Sequence, residues 1–234
     1  MSNSKLVNYT KLSPNHSGKR THSIDRITPH CVVGQCSVET LGNIFMNTAC
    51  EASCNYGIGY DGRVLLCVDE GNRSWCSSSN ANDQRSVTIE CASDTVAPYT
   101  MNSKVYNKLV ALCVDICKRN GKTKLLWFGN KDKTLNYSPK TDEMVLTVHR
   151  WFANKSCPGD WLYNRLGNLA DEVTAQLGGK TSNKENEEMI KYGAHNTATL
   201  AFKKQLITLY NMRIIKTKVD NSNGFRSEER RVGK

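Results

Sequence analysis

The stretch HRWFANKSCPGD, residues 149–160, is the most informative part of the chain. It places an imidazole, His149, eight positions before a thiol, Cys157, and a Pro-Gly turn follows the thiol. A further histidine, His30, lies far upstream in the strand-like run ITPHCVV (27–33). Two imidazoles and one thiolate are three protein ligands for zinc, and they leave the fourth position for water. The pattern therefore predicts a catalytic zinc site rather than a closed structural one.

Four segments carry a resemblance to a known family. They are TPHCVVGQ (28–35), GYDGRV (59–64), VTIEC (87–91) and HRWFANKSCPGDWL (149–162), in this order along the chain. In these segments the chain resembles the zinc-dependent N-acetylmuramoyl-L-alanine amidases of type 2, a group related to peptidoglycan recognition proteins and common in phage endolysins. The spacing of the second histidine, the cysteine and the Pro-Gly pair is the specific part of this match.

The resemblance implies an α/β fold with a central mixed β-sheet flanked by helices. It also implies hydrolysis of the amide between N-acetylmuramoyl residues and L-alanine in bacterial peptidoglycan, by a water that zinc activates. By resemblance, His30, His149 and Cys157 hold the metal. Lys155 stabilises the oxyanion as a cation, and Glu90 acts as the general base and later as the acid. Both roles are physically suited to these side chains.

Two positions depart from the family pattern. Relatives often have a tyrosine or histidine in the strand that reads SCNY (53–56) here, and Trp-His where this chain has Trp75-Cys76. Tyr56 and Trp75 are the candidates for the substrate groove. Tyrosine-assisted proton transfer stays an open question, with Tyr56 one pleat away from the expected position. Trp75 is equally suited to cover the core.

Charge favours a partner with an anionic surface. The chain has 234 residues, a formal net charge of +10 and a pI of about 9.1. Such an excess suits nucleic acid or the anionic polymers of a bacterial wall. A compact Lys/Arg stripe with interleaved aromatic residues is absent from the sequence, so peptidoglycan is favoured over nucleic acid. No run approaches the roughly 18 apolar residues of a membrane span, so we expect no membrane insertion.

The polar N-terminus predicts how the protein would reach a wall. Residues 1–26 lack the apolar core of a signal peptide. By the family resemblance, an endolysin of this kind is made in the host cytoplasm and acts on the wall after release through a separate pore.

The ten cysteines are interpreted as mostly reduced thiols. The chain is large enough for an ordinary core, in which a free cysteine behaves as a small buried hydrophobe. We therefore expect nine structural thiols and one ligand, Cys157. One or two disulfides, such as Cys31 with Cys36 or Cys50 with Cys54, are the alternative, and the sequence leaves it open.

Local patterns predict the order of strands and helices. Alternation predicts a strand at 27–33, with His30 on the same face as its polar neighbour two residues before. Ser37 is suited to cap a following helix, and Asp61-Gly62 predicts a hairpin. Further predicted elements are strands at 86–91, 125–128 and 144–148, helices at 103–119 and 161–177 (the latter capped by Asp160), and a turn-like segment at 131–142.

Composition divides the chain into five segments. A polar segment (1–26) precedes the predicted catalytic domain (27–178), and a polar linker (179–190) follows it. Residues 191–225 resemble the opening of a helical peptidoglycan-binding repeat, so we expect a short, truncated helical module. The last nine residues, RSEERRVGK (226–234), match the translation of a sequencing adapter, and we expect them to be an artefact. An ordinary charged tail is the alternative.

Two other functions are weighed against the zinc amidase. A catalytically inactive module that binds peptidoglycan commonly lacks the cysteine ligand, whereas this chain has Cys157 with both histidines. A basic nucleic-acid-binding protein is the third possibility, and zinc content and salt-sensitive DNA affinity would separate it from the others.

Overall fold

A seven-stranded mixed β-sheet is the centre of the fold, which the computed structural model describes for residues 2–178. The strands are β1 (Tyr9–Thr10), β2 (His16–Lys19), β3 (Arg26–Cys31), β4 (Tyr56–Ile58), β5 (Val64–Leu66), β6 (Asn72–Ser74), β7 (Ser86–Cys91), β8 (Lys124–Leu126) and β9 (Glu143–Leu146). The order in the sheet is β1-β5-β4-β7-β3-β9-β8, and neighbours run parallel except β4 and β5. β2 and β6 form a separate antiparallel pair.

Helices cover both faces of this sheet, as predicted. They are α1 (Val38–Met46), α2 (Asn80–Arg85), α3 (Ser103–Arg119), α4 (Lys131–Leu135), α5 (Asp160–Tyr163) and α6 (Leu166–Gln176), with short 3-10 helices at Thr48–Cys50 and His149–Trp151. α1 packs on β4 and β5 over a small apolar cluster. α3 and α6 pack on each other over the larger core of the opposite face.

Local chemistry explains the boundaries that the sequence predicted well. The Ser37 side chain accepts a hydrogen bond from the backbone N of Thr40 (3.2 Å) and begins α1. Gly62 has a φ of 85°, a conformation in which glycine carries no steric penalty, and it completes the hairpin of β4 and β5. The predicted strand 86–91 and helix 103–119 are confirmed in full.

The segment 131–142 is not entirely turn-like, and that prediction is wrong for its first part. Lys131–Leu135 forms the short helix α4. Its start is fixed by Asn130, whose side chain accepts a hydrogen bond from the backbone N of Lys133 (2.8 Å). An Asn cap offsets the low helix preference of so short and polar a segment.

The single helix predicted at 161–177 is two helices, α5 and α6, and Asp160 does not cap them. The N-cap of α5 is Gly159, and its φ of 81° suits glycine. The Asp160 carboxylate instead accepts a hydrogen bond from Arg150 (2.9 Å). The break between the helices lets Leu162 and Leu166 both bury completely in the core.

The polar segment 1–26 contributes to the same fold as the predicted catalytic domain. β1 pairs with β5 at one edge of the sheet. The Asn3 amide donates to Asp69 (2.7 Å), and the backbone N of Ser4 donates to the Tyr56 hydroxyl (2.9 Å). The boundary drawn at residue 27 thus separates segments that the structure joins.

The predicted linker (179–190), helical module (191–225) and artefact (226–234) lie outside the described residues. Among the helices of residues 2–178, none has the length and apolar character needed to cross a bilayer.

Candidate active site

His30 and Glu90 lie side by side on one face of the central strands. β3 and β7 are parallel neighbours, and their register pairs His30 with Glu90. His30 Nδ1 is 3.9 Å from Glu90 Oε1, and the two side chains are only 1% and 14% exposed. Strand pairing thus holds an imidazole and a carboxylate together in a buried position.

His149 and Cys157 reach the same position from the loop that follows β9. The backbone N of Arg150 donates to the Cys157 carbonyl (3.2 Å), which joins the two ends of this loop. Cys157 Sγ is 3.2 Å from His30 Nδ1, and the two histidine rings are 5.1 Å apart between centroids. His149 Nε2 is hydrogen-bonded to Ser78 Oγ (2.9 Å). In the tautomer in which Nε2 donates this bond, Nδ1 is the nitrogen free for a metal.

The donors of these three residues fit a zinc ion. The ligand atoms of His30, His149 and Cys157 all lie within 4.8 Å of one another. Zinc binds nitrogen at about 2.0 Å and sulfur at about 2.3 Å in tetrahedral sites, which places neighbouring donors about 3.5 Å apart. The arrangement therefore needs only small side-chain movements to close around the ion.

The protonation of the two histidines also suits metal binding. Burial, and then the nearby charge of His149, lower the pKa of His30 to about 3. Burial and the charge of Lys155 lower the pKa of His149. Both imidazoles are therefore neutral at pH 7, as metal ligands must be.

The Cys157 thiol keeps its proton unless a cation is present. A hydrogen bond with the Cys31 thiol, and then burial, raise the pKa of Cys157 well above its ordinary value. A divalent ion would displace this proton on binding. All ten cysteines are free thiols, so neither the Cys31–Cys36 nor the Cys50–Cys54 disulfide is formed.

Glu90 is buried with an unusually basic carboxylate. Burial raises its pKa to about 7, against the opposing effect of a hydrogen bond from Cys76. Cys76 Sγ is 3.8 Å from Glu90 Oε1, whereas Glu90 Oε2 is buried and lacks a hydrogen-bond partner among residues 2–178. A carboxylate that titrates near neutral pH can both accept and return a proton.

Lys155 lies on the exposed side of the loop that carries His149 and Cys157. It lines a cavity of about 290 Å³ together with Arg150, Asp160 and the segment 97–99. Its charge acts on His149, as the lowered pKa of that histidine indicates. A cation in this place can stabilise negative charge that develops beside the histidine.

The prediction of Tyr56 as a groove residue is wrong. The side chain is fully buried, and its hydroxyl donates to Glu70 Oε2 (2.8 Å) on the apolar side of the sheet. β4 pairs Tyr56 with Ile89, so the residue opposite Glu90 is Gly57. Trp75 is half-buried, and its Nε1 donates to Ser17 Oγ (2.7 Å), so its role in the groove stays a prediction.

Two residues of the site were missed by sequence reasoning. In the sequence Cys76 stands out only as a departure from the family pattern, whereas in the structure its thiol contacts the Glu90 carboxylate. Ser78 has a φ of 60° and hydrogen-bonds His149 from a loop that reads as polar and featureless. The Trp75-Cys76 pair was a usable signal for the first, whereas the second depends on a contact 71 residues apart in sequence.

Comparison with known proteins identifies the family and the fold. The family profile Amidase_2, N-acetylmuramoyl-L-alanine amidase, matches residues 19–160. Among curated proteins, none matches the chain significantly. The structure of PlyL is similar at 15% identity with a TM-score of 0.50, over 70% of this chain and 95% of that one. The catalytic domain of XlyA is similar at 13% identity with a TM-score of 0.50, over 71% of this chain and 99% of that one.

The two structural neighbours show the fold alone, because their sequence identities are low. The family match covers more than half of the chain and includes His30, Glu90, His149 and Cys157. The chain therefore belongs to the N-acetylmuramoyl-L-alanine amidase family, Amidase_2.

Proposed function

We propose that this protein hydrolyses the amide between N-acetylmuramoyl residues and L-alanine in bacterial peptidoglycan, and that it uses zinc to do so. The observation that carries the proposal is the convergence of the His30, His149 and Cys157 donors within 4.8 Å, beside the buried Glu90, in a chain of this family. A zinc ion in this position would supply a water with a pKa near 7 and polarise the scissile carbonyl.

Two protein side chains carry out the proton transfers and the stabilisation of charge. Glu90 accepts the proton of the attacking water, and its unpartnered Oε2 is the atom available for it. The same carboxyl group then returns the proton to the nitrogen of the departing L-alanine. Lys155 stabilises the oxyanion of the tetrahedral species with a fixed positive charge, worth on the order of a hundredfold in rate.

We further propose that the protein acts as an endolysin. The formal net charge is +10, or +8 without residues 226–234, which carry four Lys/Arg and two Glu. This excess supports attraction to the anionic polymers of a bacterial wall. In such a role the enzyme is made in the host cytoplasm and reaches the wall after release.

The test is to add the full-length protein to purified bacterial walls and to measure hydrolysis as the loss of turbidity. New amino termini and new reducing sugars are measured in the same samples, with and without a chelator. We expect amino termini without reducing sugars, loss of activity on chelation, and its return with zinc. Cys36→Ser serves as the thiol control for Cys157→Ser, because Cys36 lies outside the proposed ligand set. Cleavage that resists chelation, or that releases reducing sugars, would overturn the proposal.

A further inference from the structure

A second group of metal-binding donors lies beside the first. His30, Cys76 and Glu90 each bring one ligand atom within 4.8 Å of the other two. The Cys76 Sγ to Glu90 Oε1 distance is 3.8 Å, and the Glu90 Oε1 to His30 Nδ1 distance is 3.9 Å. Nitrogen, thiolate and carboxylate are a donor set that a borderline-soft divalent ion such as zinc accepts.

The polar atoms of this second group are incompletely satisfied. Glu90 Oε2 and His30 Nε2 are buried without hydrogen-bond partners in the described part of the chain. Within the same residues, the charged-group contact of Glu90 is its 3.9 Å approach to His30 Nδ1, and no Lys or Arg forms an ion pair with it. A buried carboxylate without a cationic partner is costly. A metal ion between Glu90 and Cys76 would supply the missing charge.

We propose that His30, Cys76 and Glu90 form a second cation position that takes a thiophilic divalent ion and withdraws Glu90 from catalysis. The inhibitory effect rests on the proposed function, because it requires Glu90 to be the general base. On binding, the ion displaces the thiol proton of Cys76 to solvent, and the Glu90 carboxylate becomes a ligand. The carboxylate then no longer accepts a proton from water.

Geometry sets the order in which the two positions fill. Tetrahedral zinc requires donors about 3.5 Å apart. The 3.2 Å contact of Cys157 Sγ with His30 Nδ1 is close to this value, whereas the second group must contract from 3.8 and 3.9 Å. The first position also has two imidazoles, which zinc prefers to carboxylate. Both positions use His30 Nδ1, so the second fills only at excess metal. The second ion then takes His30, and the high metal concentration keeps the first ion on its two remaining ligands, His149 and Cys157.

Cys36 offers a matched control for Cys76. Both thiols are partly buried and pack against the same apolar cluster beneath α1. Cys36 nevertheless belongs to neither group of donors. A general effect of thiol loss in this region should therefore appear in both Cys36→Ser and Cys76→Ser, whereas loss of the second cation position should appear in Cys76→Ser alone.

The experiment titrates the metal-free full chain with Cd²⁺ and records the ultraviolet absorption of cadmium–thiolate bonds. We expect two steps in the wild type and in Cys36→Ser, each from one thiolate. Cys76→Ser should keep the first step and lose the second. With Zn²⁺ as the ion, excess metal should lower wall hydrolysis by about a hundredfold in the wild type, the usual effect of losing a general base, and spare Cys76→Ser.

Two outcomes would overturn the proposal, with far-ultraviolet circular dichroism as the check on folding. Saturation of the wild type at one ion, or a second step that persists in Cys76→Ser, would overturn it. If Cys76→Ser does not fold, Glu90→Gln provides the same test, because it should keep the first step and lose the second. Cys157→Ser should keep a single step, from Cys76. Two steps in this variant would overturn the proposed zinc ligands instead, so the two failures are distinguishable.

Discussion

The two faces of the central strands β3 and β7 are both buried, yet one carries polar side chains and the other carries apolar ones. One face carries the polar residues Arg26, Thr28, His30, Ser86, Thr88 and Glu90. The other face carries Ile27, Pro29, Cys31, Val87, Ile89 and Cys91. The apolar face packs against the core beneath α3 and α6. The polar face ends at the candidate metal site.

On the polar face, hydrogen bonds between side chains take the role that apolar packing has on the other face. Thr28 Oγ1 bonds to Ser86 Oγ (2.6 Å) and Thr147 Oγ1 (2.7 Å), and the Asn82 amide donates to Thr28 Oγ1 (3.0 Å). A buried polar layer of this kind stabilises the fold little, but it fixes geometry as long as every bond is made. One face therefore provides stability, and the other positions His30 and Glu90.

Removal of a proposed metal ligand should give the largest change in activity. In Cys157→Ala, we expect loss of zinc and a fall in wall hydrolysis on the order of a thousandfold, because a Lewis acid supplies several kcal/mol to the transition state. Metal content by plasma emission spectroscopy and release of amino termini are the measurements. The free energy of unfolding should match that of the chelated wild type within about 1 kcal/mol. Full zinc occupancy in this variant would remove Cys157 from the site.

Truncation of a side chain on the apolar face should have the opposite effect: it should lower stability and leave activity nearly unchanged. Ile89 is fully buried and is the neighbour of Glu90 in β7. Ile89→Ala should lower the free energy of unfolding by about 3 kcal/mol, from lost burial and the cavity left behind. Urea unfolding measures this change. Wall hydrolysis per folded molecule should be close to wild type, and a large loss of activity without a loss of stability would contradict the division between the two faces.

The buried carboxyl group predicts how the stability of the metal-free protein depends on pH. Burial raises the pKa of Glu90 to about 7, whereas an unfolded chain has a glutamate pKa of about 4.3. Between these values the folded state binds more protons than the unfolded state. The free energy of unfolding should therefore fall as pH rises, by about 4 kcal/mol in all for this group.

Comparing the pH dependence of unfolding in the wild type and in Glu90→Gln separates the contribution of Glu90 from that of His30. Burial and the neighbouring His149 lower the pKa of His30 to about 3. Its folded state therefore binds fewer protons than the unfolded state from about pH 3 to about pH 6.5, and stability rises with pH in that window. Urea unfolding at pH 5 and pH 8 with chelator present should show the glutamate-dependent fall in the wild type alone. Parallel profiles for the two proteins would mean that water reaches the carboxylate.

Loss of either side chain that we propose for catalysis, Lys155 or Glu90, should lower the rate without changing the zinc content. We expect Lys155→Ala and Glu90→Gln each to lower wall hydrolysis by about a hundredfold while zinc content stays near one per chain. Lys133→Ala is the control for charge, because Lys133 lies on the surface in α4 and contacts the Phe128 ring. Near-normal activity of Glu90→Gln would place the general base elsewhere.

The sequence predicts local structure better than it predicts contacts between distant segments. The cap at Ser37, the Asp61-Gly62 hairpin and the strand 86–91 each follow from signals within a few residues, and the structure confirms them. The contact of Cys76 with Glu90 depends on where the loop after β6 falls against β7, which no local pattern specifies. The face on which Tyr56 lies depends on the pairing of β4 with β7, and both faces of β4 are buried.

Tyr56→Phe should give the smallest effect, and it tests the assignment of Tyr56 to the apolar face. The hydroxyl donates to Glu70 Oε2 (2.8 Å) and accepts from the backbone N of Ser4 (2.9 Å). Loss of these bonds should lower the free energy of unfolding by about 1 to 2 kcal/mol. Wall hydrolysis should be unchanged, because Gly57 and not Tyr56 lies opposite Glu90.

Tyr60→Phe is the matched control, since that side chain is 48% exposed and its loss of a hydroxyl should alter neither quantity. Urea unfolding and the release of amino termini from walls, measured on the same preparations, separate the two effects. A loss of hydrolysis in Tyr56→Phe with unchanged stability would mean that this hydroxyl serves the substrate groove. The polar and apolar faces would then not divide catalysis from stability at β4. A loss of stability alone would extend the division from β3 and β7 to β4.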